Sequence, residues 1–302
     1  MALTRGRPGD GDARRVLDLA HALWQHDPGR VNFETSFGTL AWEGVTAGRT
    51  RVFERDQQLV GWARLTPGYD RIRRPGVFDR APASLTWLVD WRDSTATEVL
   101  GHIVEWAEER ADEPFTTSHP VGDTAARQVL ADLGYRPDPT EPFSVYLRQP
   151  LPAASSAPPT GYVLTTMAEL RDLDLRTEAH RLAWDSARTA DDWRQTMATW
   201  PYRPDLDVVV TTEDGAPVGS ALIWYDRRYR YGEFEPVGVA PDHRGHGVAQ
   251  AMLRFGLERL AAAGAAQAVV GARGDDDYPG PRHLYRSVGF RPFSVQQVVG
   301  RN

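Results

Sequence analysis

The stretch EPVGVAPDHRGHGVAQAML, residues 235–253, decides the fold that we expect for this chain. It begins as a strand, turns at Ala240-Pro241-Asp242, and passes Gly245 and Gly247 before a segment of alanines and aliphatic residues. After Gly247 the apolar residues recur with helical spacing, which predicts a helix over about 247–263. A strand, a glycine-bearing turn and a helix start, in that order, are typical of a phosphate-binding site.

Three kinds of phosphate site compete for this turn. A Walker loop requires Gly-Lys-Ser/Thr, and the sequence contains no lysine. A Rossmann fingerprint requires a third glycine where Gln250 stands. The remaining interpretation is a helix N-terminus, whose open N–H groups and positive dipole end attract an anion. Gly245 and Gly247 let the backbone curl around that anion, and Arg244 adds a positive charge, so the site suits a pyrophosphate.

The preceding strand contains Pro236, which predicts an edge, a bulge or a divergence from the neighbouring strand. A strand that diverges leaves main-chain groups with which the amides of a ligand could pair. Pantetheine has two amides, and a pyrophosphate lies at its far end in coenzyme A. Coenzyme A therefore matches both features, whereas a nucleotide matches only the turn.

Composition limits the other classes of function. The chain has 302 residues and a formal net charge of −6, which disfavours sequence-independent binding to nucleic acid. It has no cysteine, which excludes disulfides, thiolate nucleophiles and cysteine-bound metals. We find no apolar run of membrane-spanning length and no signal peptide at the start. The expected protein is cytoplasmic, with no nucleic-acid or membrane partner.

A Pro-, Ala- and Ser-rich stretch at the midpoint, residues 148–161, predicts a linker between two domains. The two halves also share short patterns. Val60-Gly61 returns as Val218-Gly219, and Gly134-Tyr135 returns as Gly289-Phe290, at nearly equal offsets. Such spacing favours a duplicated domain, with chance similarity between short segments as the alternative. In the second half we expect helices at about 168–176, 189–199 and 281–288, and strands at 267–272 and 292–299.

Two motifs in the second half carry a resemblance to a known family. DHRGHG, residues 242–247, resembles the Q/R-x-x-G-x-G/A motif of the GNAT superfamily of N-acyltransferases, with Asp242 in the first position. LYRSVGF, residues 284–290, resembles the family's L-Y-x-x-x-G-F element, although DYPGPRH replaces the asparagine and alanine that usually precede it. The resemblance covers about residues 161–299, and the tandem layout is similar to the mycothiol-synthase-like branch.

This resemblance implies an α/β fold with a mixed sheet, in two tandem GNAT-fold domains. We expect a degenerate GNAT-like domain at 1–149, a linker at 150–160 and a catalytic acetyltransferase domain at 161–302. The first domain is expected to be degenerate because RDSTATEV, residues 92–99, has no glycine and no suitably placed arginine after its strand.

The implied reaction is direct attack of a small-molecule amine on acetyl-CoA, the co-substrate. Glu233 matches the family's frequent general base by position, with Glu235 as the alternative, and Tyr285 matches its frequent general acid. The residues expected to bind the coenzyme are Val237, Gly238, Val239, Arg244, Gly245, His246, Gly247, Val248 and Ala249.

Several readings stay open at this point. The acceptor could be the amine of a cysteinyl sugar, or the chain could be a non-catalytic acyl-CoA-binding protein, and it could be a monomer or a homodimer. No metal site is expected, although His243 and His246 flank Arg244. The run at 275–277, all aspartate, is expected to be a solvated loop near the acceptor. Trp184 and Trp193 are expected to lie in the core.

Overall fold

The computed structural model describes residues 3–6, 12–30, 38, 40, 49–74, 77–153 and 157–301. The chain divides into two compact units. The first comprises Met1–Tyr146, Arg273–Asp277 and Phe293–Asn302, and the second comprises Leu147–Ala272 and Tyr278–Pro292. Residues 273–277 and 293–302, which sequence analysis assigned to the second domain, thus group with the first unit. The reason is hydrogen bonding, because Gly274 donates to the carbonyl of Phe143 and the last strand pairs with a strand of this unit.

The first unit is a mixed sheet with helices. Its elements are β1 (Thr4–Gly6), α1 (Asp12–His26), β2 (Arg49–Arg55), β3 (Gln58–Thr66), β4 (Tyr69–Arg74), β5 (Val77–Ala81), β6 (Ala83–Val89), α2 (Ala96–Glu108), β7 (Phe115–Pro120), α3 (Thr124–Asp132) and β8 (Arg136–Pro137). The sheet order is β1-β2-β3-β6-β7-β15, where β15 (Arg291–Gly300) belongs to this unit from Phe293 onward. β6 and β7 are parallel, while β4 and β5 form a separate hairpin.

The second unit repeats this plan. Its elements are β9 (Ser144–Pro150, within this unit from Leu147), β10 (Tyr162–Thr166), α4 (Met167–Leu170), α5 (Leu173–Trp184), α6 (Ala190–Met197), β11 (Asp207–Thr212), β12 (Pro217–Asp226), β13 (Tyr231–Val239), α7 (Val248–Ala262), β14 (Gln267–Arg273) and α8 (Gly280–Val288). The sheet order is β9-β14-β13-β12-β11-β10, in which β13 and β14 are parallel. The predicted strands of this half and its other helices are confirmed. The single helix expected at about 168–176 is instead divided into α4 and α5, because Arg171 adopts a left-handed conformation, and α5 continues to Trp184. Of the predicted linker at 150–160, residues 154–156 lie outside the described part of the chain.

Helices α5 and α7 cover opposite faces of the second sheet. Gly256 on α7 packs so closely that an added Cβ would lie 2.7 Å from Ile223 Cδ1. On the other face, the buried Arg176 of α5 donates to Asp207 (2.7 Å) and to Ser220 Oγ (3.0 Å). Ser220 and Ile223 point to opposite sides of β12 because side chains alternate along a strand.

The two units share the order of their core elements. In each, a hairpin (β2-β3 or β11-β12) leads to a central strand (β6 or β13), a helix (α2 or α7), a parallel strand (β7 or β14) and a second helix (α3 or α8). The main-chain N–H of Asp90 donates to Val60 in the first unit, as that of Ala240 donates to Val218 in the second. The shared Val-Gly dipeptides therefore mark the same structural position.

Candidate active site in the second unit

Strand β13 bulges at the proline that sequence analysis singled out. Its register with β12 slips there, so that Glu235 and Pro236 lie opposite the single residue Leu222. The parallel pairing with β14 ends at Phe234, whose partner is Val270. From Glu235 onward β13 has no pairing to β14 among the described residues. The predicted bulge and divergence are confirmed.

The residues after the bulge form an open strand edge. Val237 and Gly238 are partly exposed, and Val239 is buried. On one side all three pair with β12, and the side that faced β14 earlier in the strand is no longer paired within the described ranges. Such an edge can hydrogen-bond an extended ligand that carries amides, in the way a peptide adds to a sheet.

The turn after β13 depends on its two glycines. A short 3₁₀ segment, Pro241–His243, follows the strand. Gly245 has φ +81° and Gly247 has φ +79°, in the left-handed region that favours glycine. No atom lies within 4 Å of the position of a Cβ at Gly245. The turn, which includes His246, is exposed.

Helix α7 begins directly after this turn. Gly247 is its N-cap, makes no side-chain cap, and is followed by a first turn without an acidic residue. The first N–H groups of a helix lack intrahelical partners, so those of Val248, Ala249 and Gln250 are open to a ligand. They stand at the positive end of a helix of fifteen residues. The arrangement is chemically suited to an anion.

The side chain of Arg244 joins two elements. Its Nε donates to the carbonyl of Val239 (2.9 Å) and its Nη2 to the carbonyl of Ala183 (3.2 Å). It therefore ties the end of α5 to the end of β13, a contact that the motif alone did not predict. His243 in the same turn shares a hydrogen bond with the hydroxyl of Tyr162 (3.1 Å).

Glu233 lies on β13 directly opposite Trp224 of β12 and is 4% exposed. An added Cβ at Gly232 would lie 2.4 Å from Leu260 of α7, so the next side chain, that of Glu233, points to the α5 face. The indole N–H of Trp224 donates to the carbonyl of Glu235 (2.8 Å), which fixes the bulge. The Glu235 side chain is exposed.

Tyr285 is held on α8 by the residues of its motif. Gly289 ends the helix with φ +117°, and the N–H of Phe290 returns to the carbonyl of Tyr285 (3.1 Å). The rings of Tyr285 and Phe290 meet edge to face, with centroids 6.1 Å apart. Tyr285 is 7% exposed, and its hydroxyl makes no hydrogen bond with the described residues.

Electrostatics connect Tyr285 with β13. Burial raises the pKa of Tyr285 well above its ordinary value, and the charges of Glu235 and Tyr278 raise it further. The phenol therefore keeps its proton at neutral pH. The structure thus brings Glu235 and Tyr285 within electrostatic reach of each other.

The corresponding strand of the first unit is closed. β6 pairs with β3 without a register slip, so it has no bulge. Its parallel pairing with β7 ends at Leu85 and Thr117. Immediately beyond, the buried Trp87 donates its indole N–H to Thr117 Oγ1 (3.1 Å), and that hydroxyl donates to the carbonyl of Leu85 (2.7 Å). Side chains thus occupy the place that is open in the second unit.

In the described part of the first unit, neither a carboxylate nor a tyrosine stands at the positions of Glu233, Glu235 and Tyr285. The last parallel pair involves Leu85 in the first unit and Phe234 in the second. Ser84 and Thr86 flank Leu85, at the positions where the two glutamates flank Phe234. Leu130 occupies the position of Tyr285. The N–H of Tyr135 donates to the carbonyl of Leu130, as the N–H of Phe290 donates to the carbonyl of Tyr285 in the second unit. At the start of α2, the Asp93 carboxylate accepts from the N–H and hydroxyl of Thr95. The Asp93 carboxylate, ion-paired with Arg55 (2.9 Å), therefore occupies the place where an anion would bind.

The remaining predicted residues fall into two groups. Trp193 is buried, as expected, whereas Trp184 is 38% exposed, which corrects its assignment to the core. Its position had a sequence signal, since Gly238 interrupts a strand and such glycines mark a close approach. Asp275 is paired with Arg273 (2.8 Å), and the run at 275–277 groups with the first unit. Among the described residues there is no cluster of potential metal ligands, and no helix is long and apolar enough to cross a membrane.

Comparison with known proteins agrees with this fold. Residues 169–290 match the model of the acetyltransferase (GNAT) family. No relative was found among curated protein sequences. A GCN5-related N-acetyltransferase from Sphaerobacter thermophilus superposes with a TM-score of 0.68 at 21% identity, covering 99% of this chain and 95% of that one. A tandem GNAT protein from the clavulanic acid biosynthesis pathway gives a TM-score of 0.67 at 15% identity, covering 99% and 98%. The expected fold, a mixed α/β architecture with two GNAT-like domains, is confirmed.

Proposed function

We propose that this chain, whose residues 169–290 match the acetyltransferase (GNAT) family, moves an acetyl group from acetyl-CoA to the primary amine of a small molecule. The observation that carries the proposal is the continuity of two features in the second unit. The open edge of β13 leads directly into the glycine turn and the uncapped start of α7.

The chain's own residues fit the coenzyme. Val237, Gly238 and Val239 offer main-chain groups along the open edge, which suits the amides of the pantetheine arm. The N–H groups from His246 to Ala249 surround the turn where a pyrophosphate would be held. Arg244 supports this turn through its bonds to two carbonyls. Acetyl-CoA, when bound, supplies an activated acetyl thioester.

Glu233 is the proposed general base. A primary amine with a pKa near that of lysine, about 10.4, is protonated at neutral pH and must lose a proton before it attacks. Glu233 lies on the α5 face of β13, before the bulge and the open edge that begins at Val237, and can accept that proton directly or through water. Glu235 is the alternative base, and its exposed carboxylate also attracts an ammonium group.

Tyr285 is the proposed general acid. Its raised pKa keeps the phenol protonated, and its hydroxyl has no partner among the described residues to compete for that proton. It can therefore donate to a leaving thiolate. The described part of the first unit has neither this tyrosine nor the open edge, so we propose that this unit binds no coenzyme and serves the fold.

Two alternatives remain for the function. The tandem layout is also compatible with a mycothiol-synthase-like enzyme that acts on a cysteinyl sugar amine. A non-catalytic acyl-CoA-binding protein would use the same turn and edge without proton transfer. Both the cytoplasmic location and the monomeric or homodimeric state stay predictions.

The purified chain is expected to form an acetylated product from acetyl-CoA and at least one member of a panel of small primary amines. The measurement is mass spectrometry of the amine, together with release of the coenzyme thiol. The panel includes a cysteinyl sugar amine. A mycothiol-synthase-like enzyme would acetylate only that member of the panel. Binding of acetyl-CoA without any product would instead support the non-catalytic protein.

A further inference from the structure

Trp184, the last residue of α5, lies against the main chain of β13. A Cβ added at Gly238 would be 2.5 Å from Trp184 Nε1 and 2.9 Å from the Cβ of Ala183. Gly238 has no positive φ that would require glycine, so the close approach of the indole is the reason a side chain does not fit. Arg244 fixes this approach, because it binds the carbonyls of Ala183 and Val239.

The indole is open to a ligand. It is 38% exposed, and its N–H donates to none of the described residues. It stands beside the middle residue of the open edge of β13, on the α5 face, the same face to which the Glu233 side chain points. An exposed indole on this face is placed to contact an acceptor that approaches the proposed base.

A neutral ring supports the indole from within the unit. The ring of His180 lies 6.4 Å from that of Trp184, with an interplanar angle of 32°. Burial, followed by the charges of Arg176 and Arg188, lowers the pKa of His180 to about 3, so this imidazole carries no charge at neutral pH. His180 therefore does not repel an acceptor cation that approaches Trp184.

A carboxylate stands along the same strand. Glu235 is exposed and precedes Gly238 by three residues, which corresponds to roughly 10 Å along an extended strand and less across a bulge. A flat apolar group against the indole and an ammonium group near the carboxylate can thus belong to one small molecule. Amines without a flat group gain only the contact with the carboxylate.

We propose that Trp184 selects the acceptor, which is an amine joined by a short aliphatic chain to an aromatic ring that stacks on the indole. This inference rests on the proposed function, because an amine is an acceptor only if the protein acetylates it. The binding of the amine can be measured without turnover. Stacking on an aromatic ring contributes a modest, geometry-dependent preference, and an ammonium near the indole adds a cation–π attraction.

The test measures dissociation constants by calorimetry on protein saturated with coenzyme A. The probes are phenylethylamine and cyclohexylethylamine, which share a carbon skeleton but differ in the flatness of the ring. The wild type should bind phenylethylamine roughly fivefold more tightly, as expected for one aromatic contact. Trp184→Leu should bring the ratio to about one, and Trp184→Phe, which keeps a ring, should restore part of it.

The matched control is Trp200→Leu, which removes another exposed tryptophan of the same unit and should leave the ratio unchanged. Affinity for coenzyme A, measured in every variant, should stay at the wild-type value and so show that the fold is intact. A wild-type ratio near one, a ratio kept in Trp184→Leu, or no binding of either amine overturns the proposal. A Trp184-dependent ratio without any acetylated product contradicts the proposed function and leaves the selective contact in place.

Discussion

Replacing Glu233 by Gln is expected to lower turnover by about 10²–10⁴-fold, the usual contribution of a general base, while affinity for coenzyme A stays nearly unchanged. Glutamine keeps the shape of the buried side chain but cannot accept the proton of the ammonium group. Glu233 lies outside the glycine turn and precedes the open edge of β13, so the coenzyme contacts remain. The measurement is steady-state turnover with the best acceptor, paired with calorimetry of coenzyme binding.

Glu235→Gln is the matched control for this change, since it alters the same kind of group two residues later on the same strand. It should mainly raise KM for a cationic acceptor, because the exposed carboxylate attracts the ammonium group. Loss of turnover in Glu235→Gln, with normal turnover in Glu233→Gln, would assign the base to Glu235. Normal turnover in both variants would show that neither glutamate of this strand acts as the general base.

Replacing Tyr285 by Phe is also expected to lower turnover by about 10²–10⁴-fold, with coenzyme affinity nearly unchanged. The change removes only the hydroxyl, and the ring can keep its edge-to-face contact with Phe290. Tyr278→Phe makes the same change at a neighbouring, partly exposed tyrosine and should have little effect on turnover. Turnover of Tyr285→Phe within about threefold of the wild type would show that another group protonates the thiolate.

The pH profile of the wild type follows from the same tyrosine. A group with a raised pKa stays protonated below that pKa, so the Tyr285 phenol is protonated from about pH 6 to pH 9. Turnover should therefore rise as the acceptor amine loses its proton, with no fall on the alkaline side within this range. An alkaline fall that disappears in Tyr285→Phe would contradict the assigned protonation state.

Local backbone requirements are what the sequence predicts best here. Gly245, Gly247 and Gly289 adopt left-handed conformations, and Pro236 lies at a bulge, so each signal is a property of the residue itself. The order of strand, turn and helix around them follows from the same signals. These features were enough to predict the turn and the divergent strand, whereas Tyr285 was singled out by its resemblance to a family motif.

Contacts between elements that are distant in sequence were not predictable in the same way. The bonds of Arg244 to Ala183 and Val239, and the closure of the first unit by Trp87, depend on how helices and strands pack. The exposure of Trp184 depends on that packing as well. Gly238, a glycine inside a strand, carries a signal that another group approaches the backbone there, but no expectation was drawn from it.

The central claim is that one of two similar units holds the coenzyme, at the glycine turn. Its most direct test is a calorimetric titration of the wild type with coenzyme A, repeated with Gly247→Val and Thr95→Val. Gly247→Val forces a branched side chain into a left-handed position at the start of α7, and Thr95→Val changes the residue at the start of α2 in the first unit.

We predict a stoichiometry near one for the wild type and for Thr95→Val, and no measurable binding for Gly247→Val. Circular dichroism of Gly247→Val should match the wild type, because the turn is exposed and no core contact is lost. A stoichiometry near two, or binding that is retained in a folded Gly247→Val, would contradict the account.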